Sequence, residues 1–184
     1  MPTRKTVNPQ TDKAVFRNVW KLADPQVERD AVAAWEAAGV VTKPEDVAVR
    51  LKQLCIAGYE ESELVTLSTI IVRYSHVVRE NMAFLRVFVA KGHREKGLVI
   101  PLTYATHEAM SAYALANPQM KIGGTMGVVA AHGTMDRPVL GAQMMLAGYS
   151  KDNDPLVLRW FDHYKLDEEA ARARTRVPRT GPAR

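Results

Sequence analysis

The chain has a single cysteine in 184 residues, so no intramolecular disulfide can form and the reducing cytoplasm is the expected compartment. Cys55 sits in the apolar run Leu54-Cys55-Ile56-Ala57, which reads as a buried structural thiol rather than a nucleophile. No apolar stretch reaches the roughly 18 residues of a membrane span. Met1-Pro2-Thr3-Arg4-Lys5 has no apolar core of the signal-peptide kind, and no membrane contact is expected. His76, His107 and His163 are scattered, without a pair at ligand spacing on one helix, so no metal is expected. Neither Gly-x-x-x-x-Gly-Lys-Ser/Thr nor Gly-x-Gly-x-x-Gly occurs, which makes ATP and NAD poor candidates. Internal repeats are also absent.

What is present suits one domain able to bury roughly 70% of its unfolded surface without staples. The formal net charge of +5 favours an anionic ligand, and weak nucleic-acid contact would suit it equally. Residues 1–12 are polar with two prolines and read as a flexible arm. The domain is expected over 13–166. Residues 167–184 form an Arg-rich flexible tail with Arg172, Arg174, Arg176, Arg179 and Arg184. The tail has no aromatic side chain for base stacking, so nucleic acid is not the expected partner.

Within the domain, Ala14 to Leu22 reads as a strand. Asp24-Pro25 caps a helix reaching Ala38 and stopped by Gly39. Thr42-Lys43-Pro44-Glu45 has the form of a capping box opening a second helix over about 44–52. Strands follow at Gln53–Tyr59, Glu63–Tyr74 and Met82–Ala90, the first two joined by a turn at Glu60-Glu61-Ser62. A long helix then runs to Ala116, with Pro101 in its first turn. Gly123–Ala131 reads as a buried strand with close backbone approach, residues 132–139 as a loop, and Leu140–Tyr149 and Pro155–Tyr164 as two last strands.

The stretch from Val87 to Val99, VFVAKGHREKGLV, says most about function. An apolar strand enters a short basic loop that opens the long helix. Free N–H groups at a helix start and in a tight turn converge on one spot, where the dipole favours an anion such as pyrophosphate. His93, Arg94 and Lys96 bring positive charge to it. Arg94-x-x-Gly97-x-Val99 resembles the Arg/Gln-x-x-Gly-x-Gly/Ala acyl-CoA loop of the GCN5-related N-acetyltransferases (GNAT), and the element order β-α-α-β-β-β-α-β-β-β resembles that family's over about 13–165. The chain is thus similar to divergent small members of bacteria and their phages, with an α/β (α+β mixed sheet) fold. Two departures stand out. Val99 replaces the last Gly/Ala, and His132–Val139 is too short for the family's fourth helix.

The resemblance implies acetyl-CoA or coenzyme A as cofactor. Backbone groups of Val87 and Val89 would pair with its pantetheine arm, and the loop His93, Arg94, Glu95, Lys96, Gly97, Leu98 and Val99 would hold its pyrophosphate. It implies acyl transfer to an amine acceptor entering from the other side. Such transfer needs a base for the amine proton, a strand N–H for the oxyanion and an acid for the thiolate. With the fourth helix missing, Tyr149 and His132 are the nearest candidates. No acid appears in Met82–Ala90, and Glu63 and Glu80 read as solvated strand ends. An alternative is a CoA-binding protein with little or no transfer activity that acts by binding another protein. Arg159-Trp160-Phe161-Asp162-His163-Tyr164 offers either a recognition surface or an ordinary alternating strand. Exposed strand edges near 140–164 leave a homodimer open.

Overall fold

The computed structural model describes residues 14–40, 43–129 and 139–165. The N-terminal arm, Thr42, Ala130-Ala131, His132 and the Arg-rich tail lie outside the described residues. Among the described residues, seven strands and three α-helices follow one another as β1 (Ala14–Asn18), α1 (Pro25–Ala37), α2 (Pro44–Leu51), β2 (Leu54–Glu60), β3 (Glu63–Ser75), β4 (Glu80–Val89), α3 (Val99–Ala116), β5 (Ile122–Val128), β6 (Met145–Tyr149) and β7 (Pro155–Trp160). They form one mixed sheet in the order β1-β2-β3-β4-β5-β7-β6. Among the described residues only β4 and β5 pair parallel, and α3 is the crossover that a parallel pair requires.

Each helix owes its place to local chemistry. The Asp24 carboxylate accepts the N–H groups of Gln26 and Val27 at 3.1 Å each, and Pro25 takes the first helical position, where a missing donor costs nothing. Val27, Ala31 and Trp35 recur every fourth residue and bury against Leu54, Leu64 and Leu67. A large apolar side chain buried this way contributes about 1.5–3 kcal/mol. For α2 the expected capping box gives way to Lys43 at the cap with no side-chain hydrogen bond. Pro44 and the acids Glu45 and Asp46 still suit the positive end of the helix dipole.

The opposite sheet face is covered by α3. Leu102, Met110 and Ala114 pack on Ile70, Ala83 and Ile122. Thr106 Oγ1 lies 2.8 Å from Ser68 Oγ and donates to Leu102 O, so the polar groups under the helix are satisfied. Along β4 the pleat sorts the side chains. Ala83, Leu85 and Val87 face α3, while Phe84 and Phe88 face the α1–α2 side.

Several strand ends differ from the sequence reading. β1 stops at Asn18 because its side chain accepts the Trp20 N–H and Lys21 turns to φ 62°. β6 begins at Met145, not Leu140. Residues 141–143 form a 3₁₀ turn with Ala142 and Gln143 left-handed. This turn crosses the start of α3, where a Cβ on Gly141 would stand 2.6 Å from Ile100 Cδ1. β7 ends at Trp160, since Tyr164 N–H returns to Phe161 O. The expected close approach of β5 is present. A Cβ on Gly124 would meet the Arg159 carbonyl oxygen at 2.2 Å. No helix among the described residues is long and apolar enough to cross a membrane.

Candidate functional site

The parallel pair β4–β5 does not run its full length. Pairing ends at Leu85 opposite Gly127, while β4 continues to Val89. Beyond that point β5 follows its other neighbour, and Val129 N–H donates to Pro155 O at 3.0 Å. Ala90 N–H donates to Val65 O, and Phe88 O accepts from Thr66 Oγ1. Residues 88 and 90 therefore turn their backbone groups toward β3. The alternation of a strand turns those of Val87 and Val89 the other way, into the gap that β5 has left. Both residues line the gap. Two unpaired backbone rungs facing a slot can accept an extended amide-bearing chain as a partial extra strand.

The gap opens a cleft of about 910 Å³ that reaches both faces of the sheet. On the α3 side it is walled by Val87, Val99, Ile100, Thr103 and Gly141. On the α1–α2 side it is walled by Trp35, Arg50, Arg73, Phe84 and Arg86. A molecule entering from one face can thus meet another entering from the opposite face.

The predicted anion loop stands at the α3 mouth of this cleft. Residues 91–96 form a 3₁₀ turn, and Gly97 takes the left-handed conformation at φ 73°, ψ 19°, which glycine adopts without a Cβ penalty. Leu98 is buried and caps α3 without a side-chain bond. The N–H groups of Val99 and Ile100 have no acceptor within the helix, and Pro101 has none to offer. This is an anion-binding geometry. Arg94 lines the cleft.

The charges around the loop differ from the sequence reading. Lys96 Nζ donates to Glu60 Oε2 at 2.7 Å, and His93 approaches Glu60 at 3.5 Å and Glu63 at 3.8 Å. The Lys96 hydrogen bond leads the effects that hold the Glu60 carboxyl below its ordinary range. So Glu60 fastens the loop to the end of β2 and neutralises it there, leaving Arg94 as the loop cation in the cleft. Glu95 is exposed and does not line it. Val99 does, and the residue is 46% exposed.

Tyr149 lies on the edge strand β6, 54% exposed and away from the cleft, and His132 lies outside the described residues. Among the described residues, no Asp, Glu, His, Tyr or Cys lines the cleft. Cys55 is buried, and desolvation pushes its thiol up to about 12, which makes it inert as a nucleophile. The aromatic run near the end of the domain is internal packing. Trp160 stacks on Tyr164, and Phe161 lies against both His107 and His163. Sequence reading missed Glu60 as an anchor and Arg50, Arg73 and Arg86 as wall residues. They come from separate elements, and no linear spacing connects them.

The same architecture recurs among solved structures. The chain is similar to an aminoglycoside 6′-N-acetyltransferase complexed with coenzyme A, with TM-score 0.53, 10% identity and coverage of 80% of this chain and 97% of that one. It is similar to a GNAT superfamily phosphinothricin acetyltransferase from Sinorhizobium meliloti in complex with AcCoA, with TM-score 0.52, 11% identity and coverage of 83% and 91%. It is also similar to the GNAT domain of S. lividans PAT, with TM-score 0.53, 14% identity and coverage of 80% and 90%. The fold is that of the GNAT acetyltransferases. No protein-family model matches the chain, and no curated protein matches it in sequence. The likeness to GNAT proteins is therefore one of backbone architecture.

Proposed function

We propose that the chain is an acyl-CoA-dependent N-acyltransferase, with acetyl-CoA as donor and an amine as acceptor. The observation that carries this reading is the cleft where β4 and β5 part, open to both faces and bordered by unpaired backbone groups of Val87 and Val89. Two of the similar GNAT structures hold coenzyme A or AcCoA. Here Val87 and Val89 would hold the pantetheine amides. Gly97, the N–H groups of Val99 and Ile100, and Arg94 would hold the pyrophosphate. The bound donor supplies a thioester, an activated acyl group whose C–S bond breaks as the new C–N bond forms.

The protein's share is mainly positional. Bringing amine and acyl carbon together in one slot removes entropy that solution chemistry must lose in the transition state. The acceptor must arrive as the free amine, because only that form has a lone pair. After attack the nitrogen loses a proton, and the departing thiolate gains one. Among the described residues no Asp, Glu, His, Tyr or Cys lines the cleft, so exchange with solvent completes this balance. Tyr149 does not line the cleft.

A thiol-release assay over an amine panel tests the reading. Acyl-dependent thiol release that rises with amine concentration supports it. Tight CoA binding without release on any amine would leave a CoA-binding protein and refute the transferase.

A further inference from the structure

The acceptor-side wall of the cleft has an unusual charge. Arg50 stands in the last turn of α2, Arg73 on β3 and Arg86 on β4. Register places them together. Thr69 pairs with Arg86, Ile71 with Phe84 and Arg73 with Met82. All of these lie on the α1–α2 face, as Phe84 and Phe88 do. The Arg73 guanidinium sits 4.0 Å over the Phe84 ring. All three arginines line the cleft. Arg50 and Arg86 also line an adjoining hollow of about 410 Å³ with Lys43 and Asp46.

Cations that share one cleft wall are normally interleaved with carboxylates. Among the described residues, the ion pairs within 4 Å all involve Glu60 or Glu63, at the other end of β2 and β3. Among the described residues lining the cleft and the hollow, Asp46 is the one acid, and no ion pair within 4 Å joins it to any of the three. Desolvation, then the charges of Arg50 and Arg73, pull Arg86 below its ordinary range. Arg50 and Arg73 thus repel Arg86 at the wall of the cleft, an arrangement that an incoming anion would relieve.

Taking the transferase reading as its basis, we propose that Arg50, Arg73 and Arg86 receive the acidic group of an anionic acyl acceptor, an amine that carries a carboxylate or a phosphate. Guanidinium forks match both groups with paired hydrogen bonds. The cluster lies across the sheet from the loop at Arg94, so an acceptor held there points its amine toward the gap between β4 and β5. The same field disfavours the ammonium form of the acceptor, which is the direction that transfer needs. Polycationic amines would be repelled.

Calorimetry measures binding of O-phosphoethanolamine, β-alanine, ethanolamine and spermidine to the full chain, with and without CoA, and thiol release gives the selectivity among them. The expected result is binding of the two anionic amines, preferred over ethanolamine by roughly tenfold or more in kcat/KM, with spermidine worst. Arg50→Gln and Arg86→Gln, checked for folding by circular dichroism, should each cut the anionic-over-neutral ratio about tenfold and leave CoA affinity unchanged. Equal use of spermidine, no calorimetric binding of either anionic amine, or loss of CoA affinity in the variants would overturn the proposal. Tighter capture of a single-stranded RNA than of any amine would also overturn it, by assigning the cluster to nucleic acid. If CoA fails to bind, the transferase reading falls. The proposal then survives only if the anionic amines still bind to the wild-type chain and not to the variants.

Discussion

His107 should make the fold acid-sensitive by a calculable amount. The ring is buried under α3, with Nδ1 2.9 Å from Thr125 Oγ1 and its face against Phe161. Burial first, then the charge of Arg159, lowers its pKa from 6.5 to about 4. The native state therefore keeps the ring neutral where the unfolded chain would protonate it. A depressed pKa contributes stability that is full above the unfolded value and is lost as pH falls toward the folded one. Linkage puts the loss at about 2 kcal/mol near pH 5 and about 3 kcal/mol near pH 4, relative to neutral pH. Carboxylates titrate in the same window, so the quantity to measure is a difference. Urea unfolding at several pH values is compared for the wild type and His107→Gln, which keeps a polar group opposite Thr125. The variant should be less stable at neutral pH and should show a pH slope shallower by about one proton between pH 6 and 4.5. Parallel slopes would refute the buried neutral histidine.

Three further outcomes follow from the packing. Gly124→Ala should cost at least about 2 kcal/mol in urea unfolding, because the new Cβ meets the Arg159 carbonyl and Trp160 Cα rather than a yielding side chain; a change below about 0.5 kcal/mol would show that β5 and β7 separate freely. Glu60→Gln should speed amide exchange across residues 91–97 while β2 stays protected, since it frees Lys96 and His93 from their anchor; unchanged exchange would mean that the backbone alone holds the loop. Val99→Ala should tighten CoA binding several-fold by clearing the mouth of the cleft, and weaker binding would show that the valine contacts the ligand favourably.

Much of the fold was legible because local chemistry and tertiary packing agree in it. Asp24-Pro25 and Gly39 bound α1, and the β-branched run after Glu63 is the long strand β3. Gly97 followed by the α3 sequence marked the loop. The failures share one cause, which is contact between residues distant in sequence. Leu140–Gln143 is apolar enough for a strand, but Gly141 crosses Ile100 and the chain turns instead. Thr42-Lys43-Pro44-Glu45 has capping-box form, yet Lys43 holds the cap position. The loop charges were read as free because nothing in the linear sequence ties Lys96 to Glu60, 36 residues away. The arginine wall was invisible for the same reason, since its members come from α2, β3 and β4.

The central claim is that the parted strands and the Gly97 loop bind a CoA thioester. Thermal unfolding of the wild type and of Gly97→Asp, each with acetyl-CoA, CoA, ATP or NAD, tests it most directly. A ligand at about a hundred times its dissociation constant adds about 2.7 kcal/mol of stability. The prediction is a clear upward shift of the wild type with acetyl-CoA and CoA alone. In Gly97→Asp, checked for folding by circular dichroism and placing a carboxylate at the phosphate position, the shift should vanish. No shift of the wild type with either CoA species, or an equal shift in the variant, would contradict it.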